Sequence, residues 1–182
     1  MALTLLLGGA RSGKSRLAER LTGASIGSVT LIATAEVRDG EMRDRILEHQ
    51  RSRPAHWRVM EVPIDLEDAL NAVEDDDAVI VDCLTLWVSN LIEAGLDDTE
   101  IQARARASAA VAAARRLATV VVSNEVGSGI VPVNELARRY RDLLGRVNTL
   151  WADAADRVYL AVAGGVIPVQ SSQSVWDEVA DD

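Results

Sequence analysis

The sequence predicts an α/β fold with a mostly parallel central sheet flanked by helices, and three observations lead there. Short β-branched apolar runs alternate along the chain with segments of helical period. A glycine-rich segment stands where the first of those runs gives way to the first helical pattern. The chain has 182 residues, 48% hydrophobic and 26% charged, which is the size and balance of one globular domain that needs no disulfide or metal staple.

The apolar runs place strands at Leu3–Leu7, Val29–Ala33, Arg58–Val62, Ala78–Asp82, Thr119–Ser123 and Arg157–Ala163. The first helix starts inside the glycine-rich loop and runs to Thr22. The second spans Gly40 to Ser52 and stops before Pro54, because a residue preceding proline is pushed out of helical space. Further helices are expected at Leu66–Val73, Leu84–Ala94, Thr99–Leu117 and Val133–Ala154, the last started by Pro132. Residues 1–169 read as a single domain, and 170–182 as an acidic, loosely held tail without a clear period.

Charge and cysteine usage exclude several classes. A net charge of −9 repels a nucleic-acid backbone, and no basic stripe offsets it, so no nucleic-acid partner is expected. The single cysteine, Cys83, cannot form an intrachain disulfide, which fits a reducing cytoplasm. Leu3–Leu7 is too short for a signal peptide, and no apolar run is long enough for a membrane span. The acidic cluster Glu74–Asp77 reads as a solvated turn. Of the 19 Lys and Arg residues, Lys14 alone is lysine.

Lys14 belongs to the motif that carries chemistry. Gly8-Gly9-Ala10-Arg11-Ser12-Gly13-Lys14-Ser15 fits G-x-x-x-x-G-K-[ST] between a predicted strand and a predicted helix, as a phosphate-binding P-loop requires. The glycines let successive N–H groups turn toward a phosphate, and the helix adds unpaired N–H groups and a positive dipole end. Lys14 is expected on the β- and γ-phosphates of ATP or GTP, and the Ser15 hydroxyl on Mg²⁺ or another divalent cation. Asp82 closes the run Ala78-Val79-Ile80-Val81-Asp82, where a Walker-B carboxylate meets that cation; a helix cap is the other reading.

The second predicted helix sets Arg45 and Arg53 one turn either side of His49. A neutral imidazole there could attack phosphorus while guanidinium groups stabilise the nonbridging oxygens. Spacing alone favours the other reading, in which Met42, Ile46 and His49 form a packing face.

Four segments resemble one family: residues 8–15; Arg45 to Trp57 with its Arg-Pro-Ala-His-Trp ending; Val81-Asp82-Cys83-Leu84-Thr85-Leu86-Trp87; and Ser123-Asn124-Glu125-Val126-Gly127-Ser128-Gly129-Ile130-Val131-Pro132. The chain resembles the bifunctional adenosylcobinamide kinase/adenosylcobinamide-phosphate guanylyltransferase of cobalamin biosynthesis from Leu3 to Gly164. The resemblance implies a RecA-like P-loop fold assembled as a homotrimer. It implies phosphorylation of adenosylcobinamide by ATP or GTP, then transfer of GMP from GTP to the new phosphate. By position, His49 is the residue that becomes guanylylated, and nucleotide contacts are implied for Ala33, Thr34, Ala35, Gln50, Arg51, Ser52, Arg53, Glu61 and Asp82. Some members carry a histidine just before the nucleophile and glutamate at the Walker-B position, where this chain has Glu48 and Asp82. For Asn124 and Glu125 three roles stay open: lining the corrinoid site, positioning nucleotide or forming a subunit contact. The alternative function is a monofunctional P-loop kinase of another small metabolite, with His49 packing.

Overall fold

The computed structural model describes residues 3–23, 28–36, 40, 54, 56–172, 174 and 176. Seven strands among them form one sheet: β1 (Leu3–Gly8), β2 (Val29–Ala33), β3 (Arg58–Glu61), β4 (Ala78–Asp82), β5 (Thr119–Val122), β6 (Arg157–Val162) and β7 (Gly165–Pro168). Their order is β3-β2-β4-β5-β1-β6-β7, every pairing parallel except β6 with β7. The described helices are α1 (Lys14–Gly23), α2 (Leu66–Ala72), α3 (Leu84–Glu93), α4 (Asp98–Ala114) and α5 (Glu135–Ala154).

The central strands are continuous apolar runs because both faces of the sheet are covered, and their side chains alternate between two cores. Leu3, Leu5, Val79, Val81 and Val121 pack on one side with residues of α2 to α5. Leu6, Ala78, Ile80, Val120 and Val122 pack on the other with Ala18 of α1. The chain thus leaves β1 through a helix on one face, and leaves its neighbour β5 toward a helix on the opposite face. Such a reversal opens a crevice at the carboxyl ends of the two strands, where ligands of parallel α/β sheets bind.

Several boundaries differ from expectation. The fourth helix ends at Ala114 rather than Leu117, since Arg115 turns extended (φ −68°, ψ 144°). Its guanidinium donates to the carbonyls of Leu70, Val73, Glu74 and Asp77. The last helix begins at Glu135, because the Asn134 side chain caps it by accepting from the Ala137 N–H; Pro132 precedes the cap. Asp77 is not solvated: it is buried and accepts a 2.6 Å hydrogen bond from the Thr30 hydroxyl, although Glu74, Asp75 and Asp76 are exposed.

Strand β7 was not expected at all. Val162 pairs with Gly165 across a two-residue turn of Ala163 (φ 49°) and Gly164 (φ 80°), a left-handed pair that suits a tight hairpin. Pro168 fits only because β7 is an edge strand. The expected helix from Gly40 to Ser52 lies, beyond Gly40, outside the described residues. Of the expected tail, Ser172, Ser174 and Trp176 have helical backbone. Among the described residues no helix is long and apolar enough to cross a membrane.

Candidate active site

The loop from β1 to α1 wraps around its own lysine. Gly8 leaves the sheet at φ 147° and Gly13 enters the helix at φ 97°, with Arg11 left-handed between them at φ 56°. Ser12 N–H donates to the Gly9 carbonyl and Leu17 N–H to that of Gly13. Lys14 is 7% exposed, and its Nζ donates to the carbonyl oxygens of Gly8 (2.8 Å) and Gly9 (2.7 Å) and to Ser12 Oγ (3.3 Å). Burial lowers its pKa, against the pull of negative charge at Cys83 and Asp82 across the crevice. Ser15 is half-buried in the first turn of α1.

Gly8 admits no side chain. A Cβ there would lie 2.3 Å from the Ala161 carbonyl oxygen on β6 and 2.9 Å from Ser12 Oγ. Gly8→Ala is therefore expected to lose about 3 kcal/mol of stability from backbone strain and overpacking. Gly9 meets nothing within 4 Å and serves as the tolerant control. Guanidinium unfolding of the two variants checks this, and equal midpoints would contradict it.

Asp82 ends β4 with a half-buried carboxylate that has no hydrogen-bond or ion-pair partner among the described residues, and its charge is felt by Lys14 and Cys83. The backbone around it is fixed by Thr34. The Thr34 N–H donates to the Asp82 carbonyl, its hydroxyl donates to the Cys83 carbonyl (2.7 Å) and accepts from the Cys83 N–H (2.8 Å). The Thr34 carbonyl in turn accepts from Asn90 Nδ2 (2.8 Å), which also donates to the Pro63 carbonyl. Thr34 is fully buried with every polar group engaged by protein, so the structure gives it a framework role, holding the backbone at Asp82. Ala33 and Ala35 flank it half-buried, and Glu61 is exposed at the end of β3, in register with Ala33.

Burial, then the Asp82 charge, pushes the Cys83 thiol up to about 11. The unfolded chain loses this proton near its ordinary value of 9.0, so the linked stability is present below about pH 9 and falls as pH rises toward 11. At pH 9 the folded thiol is about one hundredth thiolate against about half when unfolded, so iodoacetamide should label native Cys83 roughly fiftyfold more slowly. Mass spectrometry of the alkylated protein with and without urea measures this; equal rates would refute the assignment.

Three neighbours at the crevice were not singled out from sequence. Asn148, 5% exposed on α5, accepts from Ser123 Oγ (2.6 Å) and donates to the Asn124 carbonyl (3.0 Å). Thr85 accepts from the Asn124 N–H (2.8 Å) through its hydroxyl, and its carbonyl accepts from the Tyr140 hydroxyl. Gly164, in the hairpin turn, donates to the Ser12 carbonyl. An asparagine on the apolar face of a helix was the available signal for Asn90 and Asn148. The structure thus brings residues 8–15 together with Asp82, Thr34 and Ser123 to Glu125. His49, Gln50, Arg51, Ser52 and Arg53 lie outside the described residues.

Residues 4–169 match the model of a family described as cobinamide kinase / cobinamide phosphate guanyltransferase. The chain is 44% identical over 167 residues to the bifunctional adenosylcobalamin biosynthesis protein CobP of Pseudomonas aeruginosa, covering 91% of this chain and 96% of that protein. It is 45% identical over 175 residues to the bifunctional adenosylcobalamin biosynthesis protein CobU of Salmonella typhimurium, covering 89% and 96%. Among solved structures it is similar to a structurally studied protein of Pyrococcus horikoshii OT3 (TM-score 0.56, 9% identity, 94% of this chain and 87% of that one). It is also similar to an ATPase of the type III secretion system of pathogenic bacteria (TM-score 0.53, 10% identity, 97% and 53%). At such identities the likeness is one of fold, a mixed α/β architecture.

Proposed function

Because the chain belongs to the cobinamide kinase / cobinamide phosphate guanyltransferase family, we propose that one crevice, at the carboxyl ends of β1, β4 and β5, serves two successive transfers. The protein is a bifunctional cobinamide kinase and cobinamide-phosphate guanylyltransferase. ATP or GTP first gives its γ-phosphoryl group to the aminopropanol hydroxyl of adenosylcobinamide. GTP then gives GMP to that phosphate, yielding adenosylcobinamide-GDP and pyrophosphate. The observation that carries the reading is the seating of Lys14 in the loop of residues 8–15, with the Asp82 carboxylate close enough across the same crevice for its charge to act on that lysine.

The loop N–H groups and Lys14 bind the triphosphate, while Ala33, Thr34, Ala35 and Glu61 border the nucleotide from the ends of β2 and β3. The family resemblance adds nucleotide contacts from Gln50, Arg51, Ser52 and Arg53 to this reading. The Ser15 hydroxyl and Asp82 carboxylate suit Mg²⁺, a hard cation usually held by one or two protein oxygens together with phosphate and water. Among the described residues no cluster of three or more acidic, His or Cys ligands forms a cage, which agrees with that mode of binding. When bound, such a cation neutralises charge on the transferring phosphates.

His49 is the nucleophile of guanylyl transfer. Its free ring nitrogen bonds to the α-phosphorus as the bond to the bridging oxygen breaks and pyrophosphate leaves; an oxygen of cobinamide phosphate then displaces the imidazole. A cytoplasmic homotrimer without a nucleic-acid partner completes the reading, and the net charge of −9 supports the last point. Incubation of the protein with cobinamide and ATP, then with GTP, should give cobinamide phosphate and cobinamide-GDP by mass spectrometry. A first product that never converts would leave a kinase alone, and no product at all would overturn the proposal.

A further inference from the structure

β5 lies between the strand that carries the phosphate loop and the strand that carries Asp82, and Val122 is in register with Leu6 on one side and with Asp82 on the other. Strands rise about 3.3 Å per residue and lie about 4.8 Å apart, so Asn124, two residues on, leaves the sheet level with Gly8. The Glu125 N–H donates to the Gly8 carbonyl (3.1 Å), the same oxygen that accepts from Lys14. Asn124 is pinned from two further elements: its N–H bonds to Thr85 Oγ1 at the start of α3, and its carbonyl accepts from Asn148 on α5. The half-buried side-chain amide has no partner among the described residues. Backbone is thus fixed on both sides of an amide that is unpaired among the described residues and stands in a phosphate-binding crevice, the arrangement of a preorganised donor.

The geometry points to Asn124 as a catalytic residue of the kinase step, its side-chain N–H donating to the γ-phosphoryl group of the bound triphosphate. This rests on the kinase reading above and adds the group that faces the outer phosphate. The loop N–H groups surround the β-phosphate, and a cation suited by Asp82 bridges the β- and γ-phosphates, so β5, the next strand toward Asp82, stands on the γ-phosphate side. In the transfer, the bond from γ-phosphorus to the β–γ bridging oxygen breaks, the acceptor oxygen bonds to phosphorus, and the hydroxyl proton passes to solvent. Charge stays spread on the γ-phosphoryl oxygens throughout, so a fixed neutral donor helps where a carboxylate would repel.

Asn124→Ala and the isosteric Asn124→Asp test it, alongside wild type, by ADP binding in calorimetry and by kcat and KM for cobinamide phosphorylation. Expected is a fall in kcat of roughly tenfold to a hundredfold in both, the worth of a hydrogen bond to a charged group, with ADP affinity changed by less than about threefold. Unchanged kcat would overturn the assignment. So would loss of ADP binding in step with kcat in both variants, since that marks a role in shaping the loop. A wild-type protein that binds ADP but never phosphorylates cobinamide would instead overturn the kinase reading beneath it.

Discussion

Lys14→Ala should fold, bind nucleotide weakly and phosphorylate cobinamide about a hundredfold to a thousandfold more slowly than wild type, the usual cost of removing one preorganised charge-stabilising donor. The fold survives because Lys14 bonds to loop carbonyls, not to a core partner, and the Gly8 carbonyl keeps its bond from Glu125. Weak binding survives because the loop N–H groups and the α1 terminus still attract anions. Turnover does not, because a neutral methyl group cannot balance the charge on transferring phosphate. Lys14→Arg should not restore it: the slot is 93% closed to solvent around a compact ammonium, and a planar five-donor fork does not fit a point-charge site. Steady-state phosphorylation of cobinamide beside a thermal melt gives the answer. An alanine variant with full activity would remove the lysine from the mechanism.

The same residue shows how unevenly the sequence disclosed this molecule. Val29–Ala33 and Ala78–Asp82 are strands with the bounds their apolar runs predict, since burial on both faces makes them nearly continuous apolar runs, with only Thr30 inside one and Asp82 closing the other. The phosphate loop was equally legible, because its chemistry is local and its glycines are needed for backbone shape. The hairpin strand β7 was hidden, as Gly164, Gly165 and Pro168 all read as loop until an edge position makes them acceptable. The site's supports were hidden for a different reason. Asn90, Asn148 and Thr34 matter through the distant carbonyls and N–H groups they satisfy, and only the folded chain brings those groups within reach. Asn124 was visible as part of a motif, but its position between the loop and Asp82 follows from strand order alone.

His49→Ala should abolish covalent labelling by α-labelled GTP, at least about a thousandfold below wild type, because removing the attacking nitrogen deletes the intermediate outright. The wild-type label should be acid-labile and survive mild alkali, as a phosphorus–nitrogen bond does, and should be discharged by cobinamide phosphate with release of cobinamide-GDP. The preceding residue cannot substitute, since Glu48 offers no ring nitrogen. Lys14→Ala provides the contrast: it weakens stabilisation of departing pyrophosphate but leaves the nucleophile in place, so it should label slowly and still approach full occupancy. A slow rate with a normal endpoint in one variant, against no endpoint in the other, separates a group that eases departure from the group that takes the nucleotide. Equal labelling of His49→Ala and wild type would mean that another side chain, or none, carries GMP.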